Sequence, residues 1–509
     1  MAINKNSIAG PVNVKNFFVK KDSFWEKKGE KYNISLFKKI AKEVPAYGNF
    51  LREEGLSIGE IKNWEDFKKI PAISKDNYLR KNILEDLCWG GTLKQPIVYT
   101  STSGSTGKPF YFPRNDLVDK QSTLMHELFL FYRQKDIKKN TLVLNCFGMG
   151  VWIGGIITYQ AFKNLTLKGY PLSVISPGIN KKEIFDALKE LAPNYEEVII
   201  CGYPPFVKGI VDECGDYGIN LKGLNLRIIF AAEAFSEKFR DYICEKTNIK
   251  NPYLDTMNIY GSADIGTMAE ETPLSILIRK LALENNKIFK DIFGGVERLP
   301  TLVQFNPLFV NFIEQNKEVV CTGNSTLPLI KYAIGDHGGV LTYKQIIKIF
   351  KDNGIDLNKE LIKRGLLDNV LKWPFVYIYE RKDLSTKLYG AIIYPEHIKE
   401  ALHHPEITDY LTGKFSMITK FDDGHNQFLE INLELKKNVN HDDKLKKIVR
   451  EEVVNSLLEK NAEYKNNASE MPNLVEPRFV FWDYEHPEHF SPNGKQKWVK
   501  NLNILEYEK

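Results

Sequence analysis

The stretch RIIFAAEAFSEKFR, residues 227–240, changes character halfway along. Residues 227–231 form a short apolar run of strand length. After a brief turn, 236–247 read as a helix. The same unit recurs upstream. Residues 141–146 read as a strand, with a helical stretch after Trp152. A strand at 173–175 precedes a helix at 181–191, and a strand at 198–201 precedes a helix at 207–217. Apolar strands separated by amphipathic helices mark α/β layers with a largely parallel sheet.

Around this block the pattern shifts. Residues 16–90 read as helices with polar connections, and 71–74 as a loop leading to a serine cap. The runs 301–305 and 318–321 with their turns suggest a small β subdomain. From 384 onward, strands near 389–394, 415–420, 428–435 and 478–482 alternate with helices at 395–403 and 442–460. The polar segment 461–477, with its two prolines, reads as a surface loop. A chain of 509 residues exceeds one ordinary core. The expectation is an α/β protein. Its large N-terminal domain, 1–383, has layered, mostly parallel sheets plus a small β subdomain, and a smaller α+β C-terminal domain, 384–509, follows.

Composition narrows the function classes. Hydrophobic residues at 43% and charged residues at 27% fit a folded globular chain. Seventy basic side chains against 65 acidic ones give a net charge of +5, too balanced to argue for a nucleic-acid partner. The six cysteines form no CxxC pair and read as reduced, mostly buried thiols. No stretch reaches the ~18 apolar residues of a membrane span, and the N-terminus has no apolar core of signal-peptide length. A cytoplasmic enzyme with no membrane partner is expected. No Cys/His cluster suggests zinc.

The strongest local signal is YTSTSGSTGKPF, residues 99–110. Small residues and two glycines let the backbone approach a ligand. Backbone N–H groups and hydroxyls can then surround an anion while Lys108 adds positive charge. A P-loop needs four residues between its glycines and a Ser or Thr after the lysine. Here Ser105 and Thr106 alone separate Gly104 from Gly107, and Pro109 follows Lys108. The spacing disfavours a P-loop NTPase.

This loop resembles the phosphate-binding loop of the adenylate-forming superfamily, which includes acyl-CoA synthetases, peptide-synthetase adenylation domains and firefly luciferase. Its Lys-Pro order resembles the phenylacetate–CoA ligase branch. Further matches follow in the same order. Ala232, Glu233 and Ala234 resemble the turn set against adenine. NIYGSADIG, 258–266, resembles the Tyr-Gly-x-Thr-Glu motif, with Tyr260 stacking on adenine beside Gly261 and Ser262, and Asp264 serving Mg²⁺. In this segment Ala263 replaces a hydroxyl residue, and Asp264 stands in place of Glu. LPLIKYAIGDHG, 327–338, resembles the Tyr-x-x-Gly-Asp motif, whose aspartate, here Asp336, binds the ribose hydroxyls. RKDLSTKLYG, 381–390, resembles the junction segment in which Arg381 contacts ribose or phosphate and Asp383 is the hinge. SPNGKQK, 491–497, resembles the Gly-Lys loop whose lysine, here Lys495, bridges the carboxylate and the α-phosphate.

The resemblance implies ATP, Mg²⁺ and coenzyme A as cofactor set, and a catalytic Lys495. It makes Thr102, Ser103, Gly104, Ser105, Thr106, Gly107 and Lys108 the phosphate loop. It also makes the C-terminal domain a mobile lid. The reaction it implies is activation of a carboxylic acid as acyl-AMP, then transfer to a thiol. The acceptor is coenzyme A, or else a carrier protein or amine. The departures at Ala263 and Asp264 leave a catalytically impaired nucleotide-binding homologue as a further alternative. Trp152, Tyr203, Pro204 and Phe206 are the candidate acid pocket, suited to an apolar or aromatic acid. Equally, these aromatics suit an ordinary core.

Overall fold

The alternation over 141–247 becomes one half of an eleven-stranded sheet in the computed structural model. The structure describes residues 13–95, 97–101, 110–294, 299–379, 385–399, 401–487, 489–490 and 499. Ahead of the sheet, β1 (Val98–Ser101) and β2 (Tyr111–Arg114) form an antiparallel pair. The parallel half comprises β3 (Thr141–Asn145), β4 (Leu172–Ile175), β5 (Glu197–Gly202), β6 (Leu226–Ala231) and β7 (Thr256–Ser262), in the order β4-β3-β5-β6-β7.

Both faces of these strands are covered, which is why they read as continuous apolar runs. Leu142, Leu144, Val198, Ile200, Ile228 and Phe230 pack into one cluster with the helices Lys181–Glu190, Pro204–Glu213 and Glu237–Thr247. The intervening Val143, Ile199, Cys201 and Ile229 face the helix Asp116–Arg133. Side-chain caps start these helices: Asn115 Oδ1 accepts from Leu117 N at 3.1 Å and Ser236 Oγ from Phe239 N at 3.0 Å.

Past β7 the sheet turns antiparallel. It continues through β8 (Gly266–Glu270), β9 (Thr301–Gln304), β13 (Phe375–Tyr379), β12 (Leu329–Leu341), β11 (Glu318–Gly323) and β10 (Val310–Gln315). The strands expected to form a separate β subdomain are thus an edge-on extension of the main sheet, joined through β9 and β13. Residues 385–482 add a short hairpin, β14 (Thr386–Leu388) with β15 (Ala391–Ile393). They also form a three-stranded sheet of β16 (Leu411–Phe421), β17 (Gln427–Leu435) and β18 (Arg478–Trp482), backed by the helix Asp443–Lys460.

The segment expected as a loop over 461–477 is instead two helices, Ala462–Glu470 and Pro472–Val475. Its polar residues are structural: Asn461 Oδ1 caps Tyr464 N at 2.9 Å, and Asn467 Nδ2 donates to Tyr389 O at 2.9 Å. Pro472 takes a first-turn position, where its missing N–H costs nothing.

A buried ion cluster ties the helix after β6 to the strands beside it. Arg240 Nε lies 2.9 Å from Glu237 Oε2 and Arg240 Nη2 lies 2.8 Å from Glu271 Oε1, while Arg279 Nη1 lies 3.1 Å from Glu271 Oε1. Burial alone would lower the Arg240 pKa, but Glu237 and Glu271 outweigh it and hold the guanidinium above its ordinary range. Replacing Arg240 by Met leaves Arg279, among the described residues, as the one fully buried cation against both Glu237 and Glu271, and we expect a loss of roughly 3–5 kcal/mol. Urea and thermal denaturation of the full chain check this, and an unchanged midpoint would show that the cluster is not holding the fold.

Candidate active site

In open α/β sheets the crevice beyond the carboxyl ends of the strands is where ligands bind, at the point where strand order reverses. Here β4 lies on one side of β3 and β5 on the other, so the reversal falls at β3. A cavity of about 300 Å³ opens there. The segments leaving β3, β5, β6 and β7 supply Phe147 and Trp152, Tyr203, Ala232 to Ala234, and Ala263 with Asp264. Asp336 on β12 completes the opposite wall.

The turn after β6 is held from below and from above. Ala232 has a φ of 74°, a left-handed conformation that costs a non-glycine residue about 1–2 kcal/mol. Its neighbours keep it there. Asn258 Nδ2 donates to Glu233 O at 3.0 Å, and Arg279 Nη2 donates to Phe235 O at 2.6 Å. From the β14–β15 hairpin, the Lys387 ammonium donates to Ala232 O and the Gly390 N–H to Glu233 Oε1. Gln427 Nε2 donates to Glu233 Oε2 at 2.7 Å and Gln427 Oε1 accepts from Tyr389 N at 2.8 Å. Glu233 is 4% exposed, so its charge is met by protein donors rather than water.

On the other wall Tyr260 OH donates to Asp336 Oδ2 at 2.5 Å, which fixes the carboxylate's orientation. Asp264 is buried at the end of β7. Its Oδ2 accepts from Tyr332 OH at 2.7 Å and lies 3.4 Å from Lys75 Nζ. Mg²⁺ takes one or two protein carboxylates and fills its octahedron with waters and substrate phosphates. A single aspartate therefore fits as ligand, although Lys75 competes for one of its oxygens. Among the described residues no group of three His, Cys, Asp or Glu could hold a metal by itself. Ser262 Oγ lies 3.4 Å from Met268 Sδ, and Thr100 Oγ1 donates to Ala263 O at 3.4 Å.

The structure therefore brings Ala232, Glu233, Ala234, Tyr260, Gly261, Ser262, Asp264, Asp336, Trp152 and Tyr203 to one cavity. It does not bring Phe206 there; that ring is buried in the core under the sheet. Pro204 borders a small hollow on the far side of Glu233. Thr102, Ser103, Gly104, Ser105, Thr106, Gly107 and Lys108, together with Arg381, Asp383 and Lys495, lie outside the described residues. The cavity also gains Lys75, Arg80, His126, Lys387 and Glu463, none of which the sequence singled out as a site residue. Lys75 and Arg80 come from the helical first 90 residues, where a lysine or arginine carries no local signal of a site.

Glu463 is half-buried on the cavity rim, where its Oε2 accepts from Ile392 N at 3.3 Å. Loss of solvent pushes its carboxyl up to about 7, against smaller lowering contributions from the Ile392 N–H and Lys387. A raised carboxyl pKa means that ionisation costs the folded chain free energy. The cost is absent below about pH 4.5 and complete above about pH 7. Glu463→Gln should thus be neutral near pH 4. By pH 8 it should gain about 1–2 kcal/mol, after allowance for screening at a partly exposed site. Denaturation midpoints of both proteins at the two pH values test this, and a gain that does not grow with pH contradicts it.

No protein-family model matches the chain, and no curated protein sequence matches it. Solved structures do. 2-Hydroxyisobutyryl-CoA ligase in complex with 2-HIB-AMP and CoA, in the thioesterification state, is similar at a TM-score of 0.66 and 14% identity, over 100% of this chain and 97% of that one. The post-adenylation state of that ligase with 2-HIB-AMP gives 0.53 at 13% identity, over 100% and 96% of the two chains. An open conformation with 2-HIB-AMP and CoA gives 0.53 at 13% identity, over 99% and 97%. Likeness at such identity carries the architecture and not the chemistry. The chain shares the fold of 2-hydroxyisobutyryl-CoA ligase along its whole length.

Proposed function

We propose that this chain activates a carboxylic acid with ATP as its acyl-adenylate, releases pyrophosphate, and passes the acyl group to a thiol, that of coenzyme A. The observation that carries this reading is the convergence of three motifs far apart in sequence. The segments 232–234 and 260–264 and Asp336 line one cavity with an apolar wall of Phe147, Trp152 and Tyr203. The ligase folds that resemble this chain end to end support it.

A carboxylate is a poor electrophile, and coupling to ATP makes it a good one. Its oxygen attacks the α-phosphate in line, the bond to the bridging oxygen breaks, and pyrophosphate leaves. Such a step needs positioning and charge neutralisation more than covalent catalysis. In this reading the loop of Thr102 to Lys108 holds the β- and γ-phosphates, and Lys495 holds the carboxylate against the α-phosphate. Asp336 accepts from both ribose hydroxyls, oriented by Tyr260, and Arg381 supports the ribose end. The ring of Tyr260 and the Ala232 to Ala234 turn flank adenine. Asp264 would hold Mg²⁺, which supplies positive charge beside the phosphates. Trp152 and Tyr203 face the acid.

We further propose that the chain divides into units 1–383 and 384–509 that rotate about Asp383 between the half-reactions. The contacts of Lys387, Gly390 and Gln427 on the Ala232–Glu233 turn support a closed arrangement of these units. A second reading, a nucleotide binder without turnover, draws on Lys75 and Tyr332 already engaging Asp264.

Acid-dependent pyrophosphate release across aryl, arylacetic and fatty acids, with ATP and Mg²⁺, decides between them. We expect release with some acid and loss of roughly 10²–10³-fold in Lys495→Ala, as for removal of one group aimed at developing charge. Adding CoA, a carrier protein or an amine and identifying the acyl product then names the acceptor. Nucleotide binding with no release from any acid favours the binder, and ADP as product overturns the assignment. Asp336→Ala should weaken ATP binding by roughly 1–3 kcal/mol, because two charge-assisted hydrogen bonds are lost. Isothermal titration measures this, and an unchanged affinity removes Asp336 from the ribose site.

A further inference from the structure

Beneath the apolar wall of the cavity runs the helix Asp116–Arg133, whose inner face presents Ser122 and, one turn on, His126. The His126 side chain lines the cavity and is fully buried, with 0% exposure. Its Nδ1 lies 2.8 Å from the Ser122 carbonyl oxygen. A carbonyl only accepts, so Nδ1 carries the ring proton. Burial pushes the His126 pKa down to about 4, against a smaller raising effect of that carbonyl, which keeps the imidazole neutral across the physiological range. In a neutral ring protonated at Nδ1, Nε2 is a lone pair and can only accept.

That lone pair has no hydrogen-bond partner among the described residues. The surrounding groups do not offer one. Phe162 meets the ring edge-on at 5.2 Å, and the Ser122 hydroxyl is directed to Thr267 Oγ1 at 3.0 Å and to the Nδ1 side at 3.4 Å. Buried acceptors are almost always satisfied, so an orphan on a side chain that lines a cavity calls for a donor brought in from outside. Phe147, Trp152, Ile157 and Tyr203 make the remainder of this wall largely apolar. In such a setting a single polar group sets orientation and selectivity.

We propose that His126 Nε2 accepts a hydrogen bond from a hydroxyl or amino group on the bound acid, so that this chain selects acids carrying such a donor over their otherwise identical counterparts without it. This rests on the reading of the cavity as the site of acid activation. His126 is then a specificity-determining residue. A substrate that fails to donate leaves a buried acceptor unpaired, which is a far stronger rejection than a change of apolar size.

The experiment measures kcat/KM for acid-dependent pyrophosphate release with matched pairs: mandelate against phenylacetate, 4-hydroxybenzoate against benzoate, 3-hydroxybutyrate against butyrate, and 2-aminobutyrate against butyrate. We expect the donor-bearing member of at least one pair to be preferred by about ten- to a hundredfold, mainly through KM. In His126→Leu that preference should collapse while the KM for ATP is unchanged. His126→Gln, which keeps an acceptor, should retain part of it and guards against a folding defect in the leucine variant. Equal kcat/KM across every pair, or a preference that survives in His126→Leu, overturns the inference alone and leaves a water as the partner of Nε2. Absence of pyrophosphate release with every acid overturns the adenylation reading, and this inference with it.

Discussion

Four charges sealed in the interior, Arg240, Arg279, Glu237 and Glu271, set the shape of the cavity without entering it. Charges taken out of water must be paired closely or not buried at all. The pairing here fixes the helix after β6 relative to β7 and β8. Glu271 Oε2 also accepts from Asn258 N at 2.9 Å, and Arg279 reaches the Phe235 carbonyl. The cluster therefore sets where the Ala232–Phe235 turn can sit. That turn in turn presents Glu233 to the β14–β15 hairpin and to Gln427. One electrostatic constraint thus runs from the middle of the sheet to the face on which residues 385–482 rest.

The cavity's two walls are built on different principles. The wall carrying Ala232 and Tyr203 grows from the ends of parallel strands, whose backbones stop where the ligand begins. The wall carrying Asp336 belongs to a thirteen-residue strand, β12, that passes the cavity without ending. Close approach permits this. A Cβ at Gly338 would stand 1.9 Å from the Tyr377 carbonyl oxygen, so glycine there lets β12 and β13 run together past the site. Sheet continuity from β7 through β8, β9 and β13 to β12 makes both walls parts of one sheet.

Much of this was legible in the sequence because the relevant signals are local. The apolar runs over 141–231 are strands buried on both faces, and their period needs no knowledge of neighbours. The segments around Ala232, Tyr260 and Asp336 could be picked out by their resemblance, in the same order along the chain, to motifs of the adenylate-forming superfamily. What was not legible depends on distant contacts. Whether 301–341 stands alone or extends the main sheet is decided by pairing of β9 with β13, some seventy residues on. The helices of 461–477 hide behind polar residues such as Asn461 and Asn467, whose amides bond to backbone groups of 389–392. His126 looks like any histidine in an apolar helix until β8 places Thr267 beside its neighbour Ser122. Lys331 carries no local mark of its setting: it is fully buried and donates to the carbonyls of Lys68 and Ile70 at the end of a helix.

The six cysteines have a practical bearing on how this chain can be observed. Cys88, Cys146, Cys201, Cys214, Cys244 and Cys321 are all free and buried, and burial pushes every thiol above its ordinary range. The thiolate is the reactive form. Alkylating reagents and disulfides therefore meet an inert surface as long as the chain stays folded. The cysteines are spread from the helical N-terminal region through β5 to β11, so the order in which they become reactive records the order in which parts of the molecule open. The native chain carries its own set of unfolding reporters, with no label to be introduced.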